Sequence, residues 1–270
     1  MPPIIEVEHV TKRFGGFMAV NDCTLAVERG SVTGLIGPNG AGKSTLFNMV
    51  AGNLAPTSGT IRFDGQTVTG MPPHDLFSLG LLRTFQIAHE FSNMTVTENL
   101  MMVPPAQEGE RLFSTWLRWS RVAKDEAEVR RKAREVLEFV NLAHVRNELA
   151  GNLSGGQKKL LELARTMMVD AKMVLLDEIA AGVNKTLMGD LAANIERLNR
   201  EMGYTFFVIE HDMDLIARLC DPVIVMAQGS VMREGSIQAL REDAEVIEAY
   251  FGGSDTGDAT RKPKPEAVPA

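Results

Sequence analysis

"GLIGPNGAGKST", residues 34–45, sets a glycine-rich turn between an apolar strand pattern and a helical one. Gly37, Gly42, Lys43 and Ser44 meet the spacing Gly-x-x-x-x-Gly-Lys-Ser, which in a strand–turn–helix context reads as a phosphate-binding loop. Glycines let consecutive amide N–H groups converge on a phosphate, and the helix N-terminus adds the positive end of its dipole. The lysine of such a loop reaches the β- and γ-phosphates, and the hydroxyl after it ligates Mg²⁺. The predicted loop residues are Gly37, Pro38, Asn39, Gly40, Ala41, Gly42, Lys43, Ser44 and Thr45.

A magnesium-nucleotide site that hydrolyses also needs a carboxylate for the metal and a group that prepares water. "MVLLDE", residues 173–178, supplies both at the end of a strand pattern, where ligands bind in open α/β sheets. Asp177 is the candidate for the metal, and Glu178 is the candidate that orients or deprotonates the attacking water. His211 follows the next strand pattern, in "FVIEHD", and is expected to emerge at the same edge with a γ-phosphate contact. His9, His74, His89 and His144 have no such setting and are read as structural.

"LSGGQKKLLELAR", residues 153–165, opens a helix: Ser154 and Gln157 form a Ser-x-x-Gln capping box. Leu160, Leu163, Ala164, Met167 and Met168 continue it as a buried stripe. Gly155 and Gly156 leave bare amides at the helix start, suited to an anion, yet no lysine-serine pair follows them.

Around these motifs, strands are predicted at residues 4–10, 21–27, 31–36 and 60–63, with a short helix at 45–51 closed by Gly52. A Thr95-x-x-Glu98 capping box opens a helical region, and a second stripe runs through Val129, Ala133, Val136, Leu137 and Val140. Glu126 with Arg130 and Glu128 with Lys132 are spaced for i, i+4 pairs on its solvated face. Strand patterns at 173–176 and 205–209 flank a helix carrying Leu187, Leu191, Ile195, Leu198 and Met202, which implies a parallel βαβ arrangement. A hairpin at 223–226 and 231–234 and a last helix ending near Phe251 complete the pattern. Residues 252–270 lack an apolar period and are expected to be disordered.

The 270 residues carry a net charge of −7 with a pI near 5.4, which argues against nucleic acid as a partner. Cys23 and Cys220 are far apart and fit neither a disulfide framework nor a zinc site, so a reducing cytosol is expected. No apolar run approaches the ~20 residues of a spanning helix. Work at a membrane would need a partner to hold the chain there.

The phosphate loop, Leu-Ser-Gly-Gly-Gln, Asp177 with Glu178, and His211 occur in this order, and the combination resembles the nucleotide-binding cassette of ABC transporters over residues 4–251. The resemblance implies an α/β fold: a P-loop NTPase with a RecA-like core and parallel sheet, an antiparallel β subdomain and an α-helical subdomain. Residues 1–85 and 155–251 would form the core and 86–154 the helical part, all within one cassette. It implies adenine stacking by Phe14 and a role for Gln86 in contacting Mg²⁺ and water. It also implies that Ser154, Gly155, Gly156 and Gln157 serve the nucleotide of a second cassette, identical or paralogous, packed head to tail. ATP and Mg²⁺ would be the ligands. Transmembrane permease subunits, and through them a substrate-binding protein, would be the partners at the cytoplasmic face, with a coupling helix received near residues 87–95.

"RTFQ" with "FSNMTVTENL", and the "DEIAAGVN" loop, are most similar to importers of branched-chain and other hydrophobic amino acids, amides and urea. Ile179 and Val183-Asn184 depart from the family's usual residues in that loop, while their apolar character predicts that the loop persists. "LFSTWLRWSR", residues 112–121, reads as a packed helix of the helical part or as an interfacial patch around Trp116 and Trp119. A lipid export cassette and a soluble ABC ATPase of DNA repair or translation are the alternatives; tandem cassettes or long coiled-coil insertions, expected of the latter, are missing. A P-loop kinase has no use for the Leu-Ser-Gly-Gly-Gln segment.

Overall fold

Two sheets organise the chain in the computed structural model, which describes residues 2–84, 90–104 and 119–251. The first sheet is antiparallel with order β2-β1-β4-β5, built from β1 (Ile5–Phe14), β2 (Phe17–Val27), β4 (Ser58–Phe63) and β5 (Gln66–Thr67). β1 and β2 are longer than their sequence patterns because they run on into a hairpin turning at Gly15 and Gly16. Three register shifts along β1–β2 break the two-residue alternation, so the outer halves do not read as strand.

The second sheet has order β10-β9-β3-β8-β7-β6. Its parallel members are β3 (Val32–Ile36), β6 (Leu81–Arg83), β7 (Met173–Asp177), β8 (Thr205–Ile209) and β9 (Val223–Ala227); β10 (Ser230–Gly235) closes one edge antiparallel. Side chains alternate between its faces. Met173, Leu175, Phe207, Ile209, Ile224 and Met226 join a core with Leu46 and Phe47 of α1 (Lys43–Val50). Val174, Leu176, Phe206, Val208, Val223 and Val225 join the other core with helix residues such as Leu100, Leu137, Leu161, Ile195 and Ile216. Burial on both faces makes these strands continuous apolar runs.

α2 (Pro73–Leu79) leads into β6, and α3 (Val96–Met101) starts at the Thr95 capping box expected for it. In α4 (Trp119–Phe139) Ala133, Val136 and Leu137 are buried, as is Val140 beyond its end. The Glu126–Arg130 pair forms at 3.1 Å. The expected Glu128–Lys132 pair does not: Lys132 donates to the Met168 carbonyl at 3.2 Å, a free acceptor at the end of α5 (Gly155–Met167). In α6 (Lys185–Met202) Leu191, Ile195 and Leu198 are buried, whereas Met202 is 53% exposed in the last turn. α7 (Met213–Leu219), α8 (Ile237–Glu242) and α9 (Ala244–Phe251) follow. Among the described residues no helix is long and apolar enough to cross a membrane.

Candidate functional site

β3, β8 and β7 are neighbours and parallel, so their C-terminal ends lie on one edge, and the phosphate loop, His211 and Asp177 with Glu178 emerge together there. Gly37 leaves β3 with φ 152°, and a Cβ on it would lie 2.1 Å from the Met226 carbonyl oxygen. Gly42, at φ 97°, caps α1, where a Cβ would lie 2.5 Å from the Ala19 oxygen. Both places require glycine. Asn39, Gly40 and Ser44 are exposed, Pro38 and Thr45 half-buried, and Ala41 buried under the loop.

Lys43 is buried, and its ammonium donates to the loop's own carbonyls, Gly37 at 2.7 Å and Pro38 at 3.1 Å. Burial lowers its pKa, and the negative charge of Glu178 works in the opposite direction. The Gly37 amide donates to the Tyr250 hydroxyl of α9 at 2.8 Å, which ties the last described helix to the start of the loop. Nothing in the sequence pattern marks that contact.

Asp177 ends β7 almost fully buried, and its Oδ2 accepts from the Arg83 guanidinium at 2.6 Å. The same guanidinium donates to Asn48 Oδ1 of α1, also at 2.6 Å. Glu178 follows with φ 48°, a left-handed conformation that few non-glycine residues adopt. Its amide still donates to the Ile209 carbonyl, and its Oε1 lies 3.1 Å from His211 Nε2. The two predicted hydrolytic residues are therefore in direct contact.

Glu210 is a participant that sequence reasoning missed. Only 2% exposed, it accepts from the Ala180 amide at 2.7 Å and from the His211 amide at 3.1 Å. Burial raises its pKa, opposed by those amide hydrogen bonds and that of Asp212, while the charge of Glu178 raises it further. A carboxylate at the end of an apolar strand was the available signal, because such a group is buried only when paired. It fastens the loop after Glu178 to the start of the His211 loop. That loop persists despite Ile179 and Val183: Ile179 is buried, and the Ala181 and Val183 amides bond back to Glu178 and Ala180.

Ser154 caps α5 as expected, with reciprocal bonds of 3.3 and 3.0 Å to Gln157. The two glycines differ. Gly155 is exposed, and a Cβ there would meet only the Gly182 oxygen at 3.5 Å. Gly156 is buried, and its Cβ would lie 2.4 and 2.9 Å from Leu187 Cδ1 and Cβ. Its bare amide is thus not the reason for a glycine there; close packing of α5 on α6 is. Phe14 is 48% exposed beside the β1–β2 turn, with the Lys12 ammonium 5.2 Å from its ring centre. Cys23 and Cys220 are free and buried, and burial pushes both thiols up to about 12, so they are unreactive. Gln86, Trp116 and the 252–270 tail lie outside the described residues, as does the side chain of Trp119.

A P-loop, a strand-end acid pair touched by a histidine, and a Leu-Ser-Gly-Gly-Gln helix on a mixed α/β core define an ATP-binding cassette ATPase. The family model described as ABC transporter matches residues 20–181, and the chain belongs to that family. It is 42% identical over 254 residues to the probable branched-chain amino acid transport ATP-binding protein LivG of Archaeoglobus fulgidus, covering 94% of this chain and 97% of that one. It is 40% identical to the high-affinity branched-chain amino acid transport ATP-binding protein BraF of Pseudomonas aeruginosa, covering 93% and 98%. A nucleotide-free ATP-binding cassette from an ABC transporter superposes with a TM-score of 0.79 at 37% identity, covering 93% and 99%. The ADP conformation of the cassette MJ1267 gives a TM-score of 0.79 at 36% identity, covering 93% and 100%.

Proposed function

We propose that this cassette powers an importer of branched-chain or other hydrophobic amino acids, or of related amides or urea, from the cytoplasmic face of the membrane. The observation that carries hydrolysis is the 3.1 Å contact between Glu178 and His211 at the strand edge that also bears Lys43. In this reading Lys43 exchanges its carbonyl partners for the β- and γ-phosphates, and loop amides beyond Pro38 hold them, the Gly37 amide being held by Tyr250. Glu178 orients and deprotonates the attacking water, and His211 holds Glu178 and the γ-phosphate in register. Phe14 stacks on adenine, and Gln86 contacts Mg²⁺ and the attacking water and reports on the membrane partner.

The donors assigned to the ion are oxygens: the Ser44 hydroxyl and the Asp177 carboxylate among the described residues, and the side-chain oxygen of Gln86 beyond them. Among the described residues no group of three or more His, Cys, Asp or Glu could hold a metal alone. That set fits Mg²⁺, which takes few protein ligands and completes its shell with phosphate oxygens and water. When bound, the ion neutralises charge on the phosphates. Ser154, Gly155, Gly156 and Gln157 would complete the nucleotide site of a second cassette, homodimeric or paralogous. The coupling helix of a permease subunit would dock near residues 87–95; a groove of about 250 Å³ that reaches Thr84 and is lined also by Phe77, Leu82, Val103, Glu162 and Arg165 supports a docking surface on this side. Residues 86–154 would then be the helical subdomain.

Glu178→Gln tests this assignment: ATP binding should survive, hydrolysis should fall at least a hundredfold and a dimer should accumulate with ATP. Turnover at the wild-type rate would remove Glu178 as the catalytic carboxylate. Reconstitution with the neighbouring permease subunits, followed by leucine, amide and urea uptake, tests the cargo; no ATP-dependent uptake of any would refute it.

A further inference from the structure

Arg83 is more deeply invested in this site than a surface-strand arginine need be. It is the last residue of β6, an edge strand, and could have turned outward to solvent. Instead its side chain is 16% exposed, bonded to Asp177 Oδ2 and Asn48 Oδ1, both at 2.6 Å. Among the described residues its buried Nε–H finds no acceptor, an uncompensated desolvation that simple packing would have relieved. The two bonds span different elements, Asn48 on the helix that the phosphate loop caps and Asp177 at the end of β7. The guanidinium fork thereby fixes both the rotamer of Asp177 and its distance from α1, which a lysine's single ammonium could not do as rigidly. Among the described residues only Oδ2 is engaged, so Oδ1 remains for a ligand at the strand edge.

We propose that Arg83 is a positioning residue for the nucleotide's metal ion: held on Asn48, it grips one oxygen of Asp177 and presents the other to the cation. This rests on the reading of Asp177 as the metal carboxylate. Outer partners of metal ligands of this kind typically carry ten- to a hundredfold in metal affinity. The opposite reading treats Arg83 as a placeholder that the cation must expel, and removing it would then tighten cation binding.

The two readings differ in sign. With the full chain, binding of a fluorescent ATP analogue is titrated against Mg²⁺, and Mn²⁺ bound in the presence of ADP is counted by electron paramagnetic resonance. Arg83→Gln should raise the half-saturating Mg²⁺ about tenfold, with nucleotide affinity in EDTA unchanged. Arg83→Lys should fall between Gln and wild type, and Asn48→Ala, which keeps the ion pair and loses its anchor, should shift the midpoint two- to threefold. These two variants keep the test open if Arg83→Gln melts too low to assay. An unchanged or lowered Mg²⁺ midpoint in the folded variants would overturn the proposal. Asp177→Asn is the control: if it leaves the midpoint unchanged, Asp177 is not the metal carboxylate, whereas a shift with Asp177→Asn but none with the Arg83 and Asn48 variants sinks the positioning role alone.

Discussion

Gly155 and Gly156 are adjacent and chemically identical, yet the structure predicts opposite consequences of substituting them. At Gly156 an alanine Cβ would sit 2.4 Å from Leu187 Cδ1 and 2.9 Å from Leu187 Cβ. The Cδ1 methyl can rotate away, but Leu187 Cβ moves only with α6, so the helix pair must part by several tenths of an ångström. Overpacking of that kind costs about 1–3 kcal/mol. For a chain of this size each kcal/mol lowers the melting temperature by about 2–4 °C, so Gly156→Ala should melt roughly 2–12 °C below wild type. At Gly155 the nearest atom is 3.5 Å away, and alanine should be neutral or stabilising by about 0.5–1 kcal/mol. Gly155→Asp should then fold and bind nucleotide in its own site. A carboxylate placed about 5 Å from a γ-phosphate across a dimer would, at an effective dielectric near 20, repel it by roughly 3 kcal/mol, a hundredfold loss of closure and hydrolysis. Thermal unfolding by circular dichroism, nucleotide binding to the monomer and ATPase rate against protein concentration read the three effects separately. A Gly156→Ala protein with the wild-type melting temperature would refute the packing argument. Equal loss of monomer binding and hydrolysis in Gly155→Asp would show that the segment serves its own site.

Tyr250→Phe leaves the buried Gly37 amide unpaired and should cost about 1–3 kcal/mol, read as a lowered denaturant midpoint with an unchanged slope. Glu210 has a raised pKa in the fold, so the folded state holds its proton more tightly than the unfolded chain, and stability falls as pH rises from the ordinary carboxylate range through the raised value. Glu210→Gln should flatten that slope in unfolding measured across pH, and an unchanged slope would count against the assignment. Asn99 is fully buried and bonds Phe91 with both its side-chain oxygen and its nitrogen, the nitrogen reaching Thr95 as well; Asn99→Leu should expose the 91–95 loop to limited proteolysis and cost about 2–3 kcal/mol.

How much of this was legible beforehand depended on whether the information was local. The Ser154 and Thr95 capping boxes, the stripe from Leu160 to Met168 and the strand ending at Asp177 are written in spacings of one to four residues, and all were found in place. The outer halves of β1 and β2 were missed because bulges erase the alternation that marks a strand. Arg83 looks like an ordinary charge until its partner, 94 residues away, is known, and Glu210, although its place at the end of an apolar strand is a local signal, shows its role only with its partner 30 residues away. Gly156 was read by its backbone alone, although the decisive atom belongs to Leu187 of another helix.

The hydrogen bond from Gly37 to Tyr250 joins residues 213 apart in sequence. During synthesis the phosphate loop leaves the ribosome long before Tyr250, so until that residue follows its first amide lacks this partner. Strand β8, which flanks β3 and leads to His211, also arrives late. A nascent cassette therefore has the phosphate-binding motif without the assembled site, and its ability to turn over ATP waits for the strands that bring Glu178 and His211 beside the loop.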